Sequence, residues 1–161
     1  MSVEITEADE IVEMERKFVE SAWNRGDVSV IDETHSSELI VHWNAQATDR
    51  EGLKDYIRTV RRAFPDFHMA IDFVHASDDM VTVGCSASGT HTRRFMGLPP
   101  TNKFIHVTGM WTHRIEDGEV VEGWTSMNEM DMLRQLGLVF PRDLITIPRL
   151  YLRQAIRAIR R

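Results

Sequence analysis

Residues 89–137, GTHTRRFMGLPPTNKFIHVTGMWTHRIEDGEVVEGWTSMNEMDMLRQLG, decide the fold. Ile105, Val107 and Trp111 recur on alternate positions, Val120 and Trp124 do the same, and Asp117-Gly118 sits between the two runs. Asp-Gly between alternating segments signals a two-residue β-hairpin, because both turn positions need positive φ. That turn pairs residues whose numbers sum to 235: Ile115 with Val120, His113 with Glu122, Trp111 with Trp124, Gly109 with Ser126, and Val107 with Asn128. These pairs would share one side of the sheet, and two Trp meeting across strands supports the register. A Pro99-Pro100 loop precedes the hairpin, and a short helix from Met130 to Leu136, stopped by Gly137, follows it.

Upstream, period two continues in Met69, Ile71 and Phe73 and in Val81, Val83, Cys85 and Ala87, with a turn at Ser77-Asp78-Asp79. Before Phe67 the period is helical. Ile11, Met14, Phe18, Ala22 and Trp23 give one apolar face, and Gly26 ends that helix. Thr6 is the expected cap of this helix, and Asp27 of a short second one through Val30 and Ile31. Ser37 to Trp43 reads as a short strand. Thr48-Asp49-Arg50-Glu51 has capping-box spacing before the stripe Leu53, Tyr56, Ile57, Val60 and Phe64. Helices followed by an antiparallel sheet make the fold α+β.

The chain has 161 residues, enough for one domain with a substantial core. Its N-terminus is acidic and lacks the basic start and apolar run of a signal peptide. The single Cys85, an inert core thiol by its phase, rules out an internal disulfide and points to a cytoplasmic protein. From residue 139 onward six Arg face one acid, Asp143; this local +5 leaves −11 for residues 1–138 out of the net −6. An acidic body excludes nucleic acid as a partner, since phosphate binding needs a basic footprint. The chain therefore divides into a body, 1–138, and a basic amphipathic extension, 139–161. In that extension Tyr151, Leu152, Ala155, Ile156, Ala158 and Ile159 oppose an Arg face. Packing on the body or on a second subunit is preferred over a membrane surface, because the acidic body opposes anionic lipid.

Polar residues on an apolar sheet face need partners or a wet cavity. On the 235 register the paired side holds His113, Glu122, Ser126 and Asn128 among Val107, Trp111 and Trp124. His113 with Glu122 would form a proton relay, the carboxylate orienting the imidazole, or a plain structural ion pair near the turn. His91 shares the phase of Val83, Cys85 and Ala87 and should face inward; His42, alternating with Ile40, should point the same way. Spacings such as HExxH, CxxC, GxSxG, the P-loop and GxGxxG do not occur, so neither a metal nor a nucleotide has motif support.

Phe64-Pro65-Asp66, Gly89-Thr90-His91-Thr92, Met96-Gly97-Leu98-Pro99-Pro100-Thr101, the run Asp117 to Trp124 and Gln135-Leu136-Gly137 together resemble the SnoaL-like polyketide cyclases over about residues 10–138. The resemblance implies the cone-shaped α+β barrel of the nuclear-transport-factor type, with three helices covering a strongly curved sheet around a deep apolar pocket. It also implies intramolecular aldol closure of a polyketide ester without metal or cofactor. The family's acid/base Asp stands four residues after the Trp, where this chain has Asn128. An amide cannot shuttle the proton but can donate to an oxyanion. Glu129 follows with the wrong strand phase. The expected reaction is cofactor-free acid/base chemistry on an apolar, enolisable carbonyl compound, with His113 or His91 as base, Glu122 as orienter and Asn128 as oxyanion donor. His42, Val107, Trp111, Trp124 and Ser126 would line the substrate. A non-catalytic binding module and water addition to an epoxide are the alternatives. The other sheet face, with His106, Thr108, Met110, Thr112, Thr125 and Met127, is the expected contact of a homodimer.

Overall fold

The computed structural model describes residues 7–43 and 46–138; the cap expected at Thr6 and the basic extension 139–161 lie outside the described residues. Helix α1, Glu7–Phe18, runs without a break into a π-helical segment, Val19–Arg25. The wider π turn brings Phe18 and Trp23, five residues apart, to the same side. Gly26, at φ 80°, stops the helix in the left-handed conformation that glycine tolerates. Helix α2, Val30–Thr34, leads into β1, His35–Trp43, and the short β2, Gln46–Thr48. Helix α3, Arg50–Ala63, is capped by Asp49, whose carboxylate accepts from the Gly52 N–H at 2.8 Å; Asp49 and not Thr48 is the cap. Strands β3, His68–Ser77, β4, Met80–Thr90, β5, Phe104–Glu116, and β6, Glu119–Met127, follow, and α4, Glu129–Gln135, closes the described fold.

The six strands form one open sheet in the order β2-β1-β6-β5-β4-β3. Every pairing is antiparallel except β1 with β6, which are parallel. Those two strands lie far apart in sequence, so no hairpin constrains their direction. The helices cover the concave face, where Val81, Val83, Cys85, Ala87, Ile105, Val107 and Trp111 meet Phe18, Ile57, Val60 and Phe64 in a single core. Burial pushes the Cys85 thiol up to about 11, so it stays a neutral core group. The Phe64-Pro65-Asp66 turn is tied to the end of β4. The Asp66 carboxylate accepts from Thr90 N–H at 2.6 Å and Thr90 Oγ1–H at 2.7 Å. Gly89 permits that approach: a Cβ there would lie 3.1 Å from Phe64 Cβ and 3.3 Å from Phe67 Cα.

The β5–β6 hairpin turns where expected, with Asp117 at φ 51° and Gly118 at φ 80°, and Ile115 faces Val120. Beyond that pair the register differs from the expected one. A bulge at Val121 shifts it, so Arg114 faces Glu122, His113 faces Gly123, Trp111 faces Thr125 and Met110 faces Ser126. One inserted residue reverses which side every later side chain points to. Trp111 is therefore buried in the core, while Trp124 lies 39% exposed on the opposite face. The physical reason is polar burial. Without the bulge Glu122 and Ser126 would be pressed onto the apolar face; with it, Gly123, Thr125 and Met127 take those places. Thr125 and Met127 are thus not on the outer face. That face carries Thr108, Met110 and Thr112 with Glu122, Trp124 and Ser126.

Two buried imidazoles set the acid response. Burial, reinforced by the neighbouring His113 and Arg50, holds His35 well below the ordinary value of 6.5; burial also lowers His91. In both cases the unfolded chain binds the proton first, so stability declines as pH falls below about 6.5. The Asp66 carboxyl, lowered by its backbone and hydroxyl bonds from Thr90, adds a second loss below its ordinary value of 3.8. Urea midpoints measured from pH 8 to pH 3 should therefore fall in two stages. His35→Gln should shrink the first stage; a flat midpoint between pH 7 and pH 5 would contradict this account.

Candidate active site

Helices α1 and α3, the π segment and the concave sheet face enclose a cavity of about 680 Å³. Its lining is mainly apolar and aromatic, with Phe18, Trp23, Trp43, Tyr56, Phe64 and Trp111 among the walls. Cavities of this size and character hold small organic ligands. Ionisable side chains line it at two places.

The first is the floor. Glu15 on α1 is 1% exposed. It stands four residues after Ile11 and three before Phe18, on the buried stripe of its helix. Its Oε1 lies 2.6 Å from His113 Nδ1, and its Oε2 accepts from Trp111 Nε1–H at 3.0 Å. A carboxylate only accepts, so Nδ1 carries the proton and the basic lone pair of the neutral ring lies on Nε2. His113 itself lines the cavity. Its ring has room because the bulge sets Gly123 across from it: a Cβ on Gly123 would stand 2.9 Å from His113 Cδ2 and 3.3 Å from Nε2. Behind it lies His35, ring centroid 5.6 Å away, with Nδ1 2.8 Å from Thr34 Oγ1 and a buried Nε2 that meets no hydrogen-bond partner among the described residues.

The second is the wall where β6 ends. Asn128 begins α4 as its N-cap; its Oδ1 accepts from the Asp131 N–H at 3.1 Å. The next residue, Glu129, lines the cavity and accepts from Trp43 Nε1–H at 2.8 Å. Strand phase no longer applies to it, because the strand stops at Met127. The Tyr56 ring packs edge-on against Trp43 with centroids 4.1 Å apart. Burial, with a further push from Glu129, raises the Tyr56 hydroxyl far above its ordinary value and keeps it protonated.

Of the residues expected to line the site, Val107, Trp111, His113 and Asn128 do so. His113 does not face Glu122. Glu122 lies on the outer face, 2.7 Å from His42 Nε2 and 2.8 Å from Arg114 Nη2, and these two bonds hold its carboxyl below the usual range. His42 stacks on Trp124 at 5.5 Å and 12°, and Ser126 shares that outer face. His91 is fully buried behind Phe64 and Phe95, which line the cavity while His91 itself does not. Its N–H and C=O bind Lys103 O and Asn102 N, so it anchors the Pro-Pro loop. Glu15, Tyr56 and Glu129 are the site residues that the sequence reading missed as such. The available signal for Glu15 was a carboxylate in the middle of an apolar helical stripe.

The sequence profile of the SnoaL-like polyketide cyclases matches residues 13–136. The chain belongs to that family. Among solved structures it resembles AclR from Streptomyces galilaeus, a candidate hydroxylase, with TM-score 0.75 and 26% identity over 84% of this chain and 100% of that one. IdmH from Streptomyces antibioticus, a candidate polyketide cyclase, is 30% identical over 78% of this chain and 97% of its own, with TM-score 0.69. TsrD from Streptomyces laurentii shares the fold at TM-score 0.76 and 24% identity, over 84% of this chain and 100% of that one. No curated protein is significantly similar in sequence. Within this SnoaL-like chain, Asn128 stands four residues after Trp124, and its side-chain oxygen serves the helix cap. Among the described residues no group of three His, Cys, Asp or Glu side chains is placed to hold a metal ion. No helix among them is long and apolar enough to cross a membrane.

The floor cluster carries a stability prediction. Glu15→Ala leaves the N–H groups of His113 and Trp111 buried without acceptors and should cost about 3–5 kcal/mol. Glu15→Gln, which keeps one acceptor, should cost about 1–2 kcal/mol. Urea unfolding at pH 7 measures both, and an Ala variant as stable as the parent would show that the buried bonds contribute nothing.

Proposed function

We propose that this chain is a cyclase-type enzyme that closes rings on an apolar, enolisable carbonyl compound by acid/base chemistry, with His113 as the base and Glu15 as its positioning partner. The observation that carries this reading is the 2.6 Å contact between Glu15 and His113 Nδ1 beneath the cavity. It resembles the carboxylate–imidazole arrangement of general-base sites, and it stands in place of the missing Asp at position 128. Neutral Nε2 takes a proton from a methylene activated by adjacent carbonyl groups. The resulting enolate carbon attacks a second carbonyl of the same molecule, forming the ring C–C bond and an alkoxide. The imidazolium returns its proton to that alkoxide, so the protein ends as it began. Glu15 stabilises the imidazolium in between, and the apolar walls keep water from quenching the enolate. Asn128 retains an amide N–H₂ at the cavity edge that can donate to a carbonyl oxygen.

The test uses an aryl β-keto ester in D₂O, following enzyme-accelerated exchange of the activated methylene by NMR. His113→Ala should lower the exchange rate above background by roughly 10²–10⁴-fold, the usual worth of a general base. Gly123→Ala should lower it too, because its Cβ would stand 2.9 Å from the ring. Exchange at the parent rate in His113→Ala would remove His113 from the chemistry.

A further inference from the structure

Resting on the reading of this cavity as a substrate site, we infer that three arginines at its mouth, Arg62, Arg93 and Arg94, hold an anionic group of the ligand, a carboxylate or a phosphate. The ligand is then an amphiphile whose uncharged part fills the cavity and whose charged end stays at the opening.

Exposure locates the mouth. Of the residues that line the cavity, Gln46, Thr59, Met96 and Asn128 are exposed, Met96 at 69%. The opening therefore lies where α3 meets the loop 92–103. Arg62 stands three residues after Thr59, one turn further along α3, so the two are neighbours on the helix surface. Ala63 O accepts from Thr92 N–H at 3.0 Å and from Arg93 N–H at 3.3 Å, which brings Arg93 beside Arg62. Phe95 and Leu98 close a two-residue turn through Met96 and Gly97. Phe95 is buried in the cavity lining, while Arg94 and Met96 on either side of it are exposed.

Charge is the second observation. The 36 residues 80–115 contain no Asp or Glu, in a chain that has 25 of them. Arg50, Lys54, Arg58, Arg114 and Arg134 each have an acid within ion-pair distance. Among the described residues Arg62, Arg93 and Arg94 have none. The neighbouring Asp66 is occupied, since its two oxygens accept from Thr90. One unpaired surface Arg is ordinary. Three around the opening of a cavity, on a chain of net charge −6, concentrate positive potential where a ligand enters.

The lining is the third. It includes no Lys or Arg, and its one acid is Glu129. An anion inside would meet apolar walls and a like charge. At the mouth it keeps its contact with water and meets guanidinium groups, whose forked N–H donors match carboxylate and phosphate oxygens. The ligand is thereby oriented, with its uncharged, enolisable part toward His113.

The experiment is calorimetric titration of the full-length protein with 4-(2-naphthyl)butanoate, with the matching primary amide, which keeps the shape and removes the charge, and with 4-(2-naphthyl)butyl phosphate. In about 20 mM salt the parent should bind one or both anions about three- to tenfold tighter than the amide, the worth of exposed charge pairs. That preference should shrink toward unity in about 500 mM salt, as screening requires. The anion with the larger preference names the group. Changing Arg62, Arg93 and Arg94 together to Gln should erase the preference and leave amide affinity within about twofold, whereas Arg16→Gln, on α1, should change neither. Equal binding of amide and both anions by the parent overturns the proposal, as does a preference that survives high salt or the triple substitution, or failure of every probe to bind. The parent comparison and its salt dependence stand even if the triple variant misfolds. Proton exchange at His113 is a separate readout. Loss of the anion preference with His113-dependent exchange intact removes the mouth site alone; the converse leaves an anion-selective cavity without the proposed chemistry.

Discussion

A single carboxylate, Glu15, links the helical layer to the sheet through bonds that neither layer could satisfy alone. Its two oxygens are taken by Trp111 and His113, two residues apart on the same face of β5. A buried carboxylate with fewer partners would be strongly destabilising, so this geometry demands that α1 lie in one rotation over β5. The demand passes outward. It places Phe18, one turn further along, edge-on to Trp111 at 6.3 Å, and it holds His113 in the cavity lining. Packing and the geometry of the cavity floor therefore share one constraint.

The bulge at Val121 is the complementary constraint from the other side. It sends Glu122 and Trp124 outward, where the carboxylate finds His42 and Arg114, and it brings Gly123 opposite His113. A side chain at that point would displace the ring. The same shift brings Thr125 and Met127 to the cavity, whose ionisable lining is His113 at the floor and Tyr56 and Glu129 at the other end.

Much of the architecture was legible in the residues themselves. Helix stripes, alternating strands, the Asp117-Gly118 turn and the stop at Gly26 are local signals, and local signals depend on backbone preferences that neighbours rarely overturn. The site was legible only in part. His113, Val107 and Trp111 lie upstream of the bulge and kept their expected face. Trp124, Ser126 and Glu122 lie downstream of it and lost theirs. His91 followed its strand phase into the interior but met Phe64, Phe95 and Thr101 there instead of the cavity.

By itself the sequence determined the α+β order of elements, the position of the hairpin and the family to which the chain belongs. Those follow from period, turn chemistry and motif, each contained within a few consecutive residues. Only the tertiary structure decided that Glu15, 98 positions before His113, is its partner, and that Glu129 and Tyr56 share one wall. Pairings across such distances depend on how helices rest on the sheet and on a one-residue bulge. The bulge has no local signature, because its advantage is keeping Glu122 out of the apolar face, and that face exists only once the layers have packed.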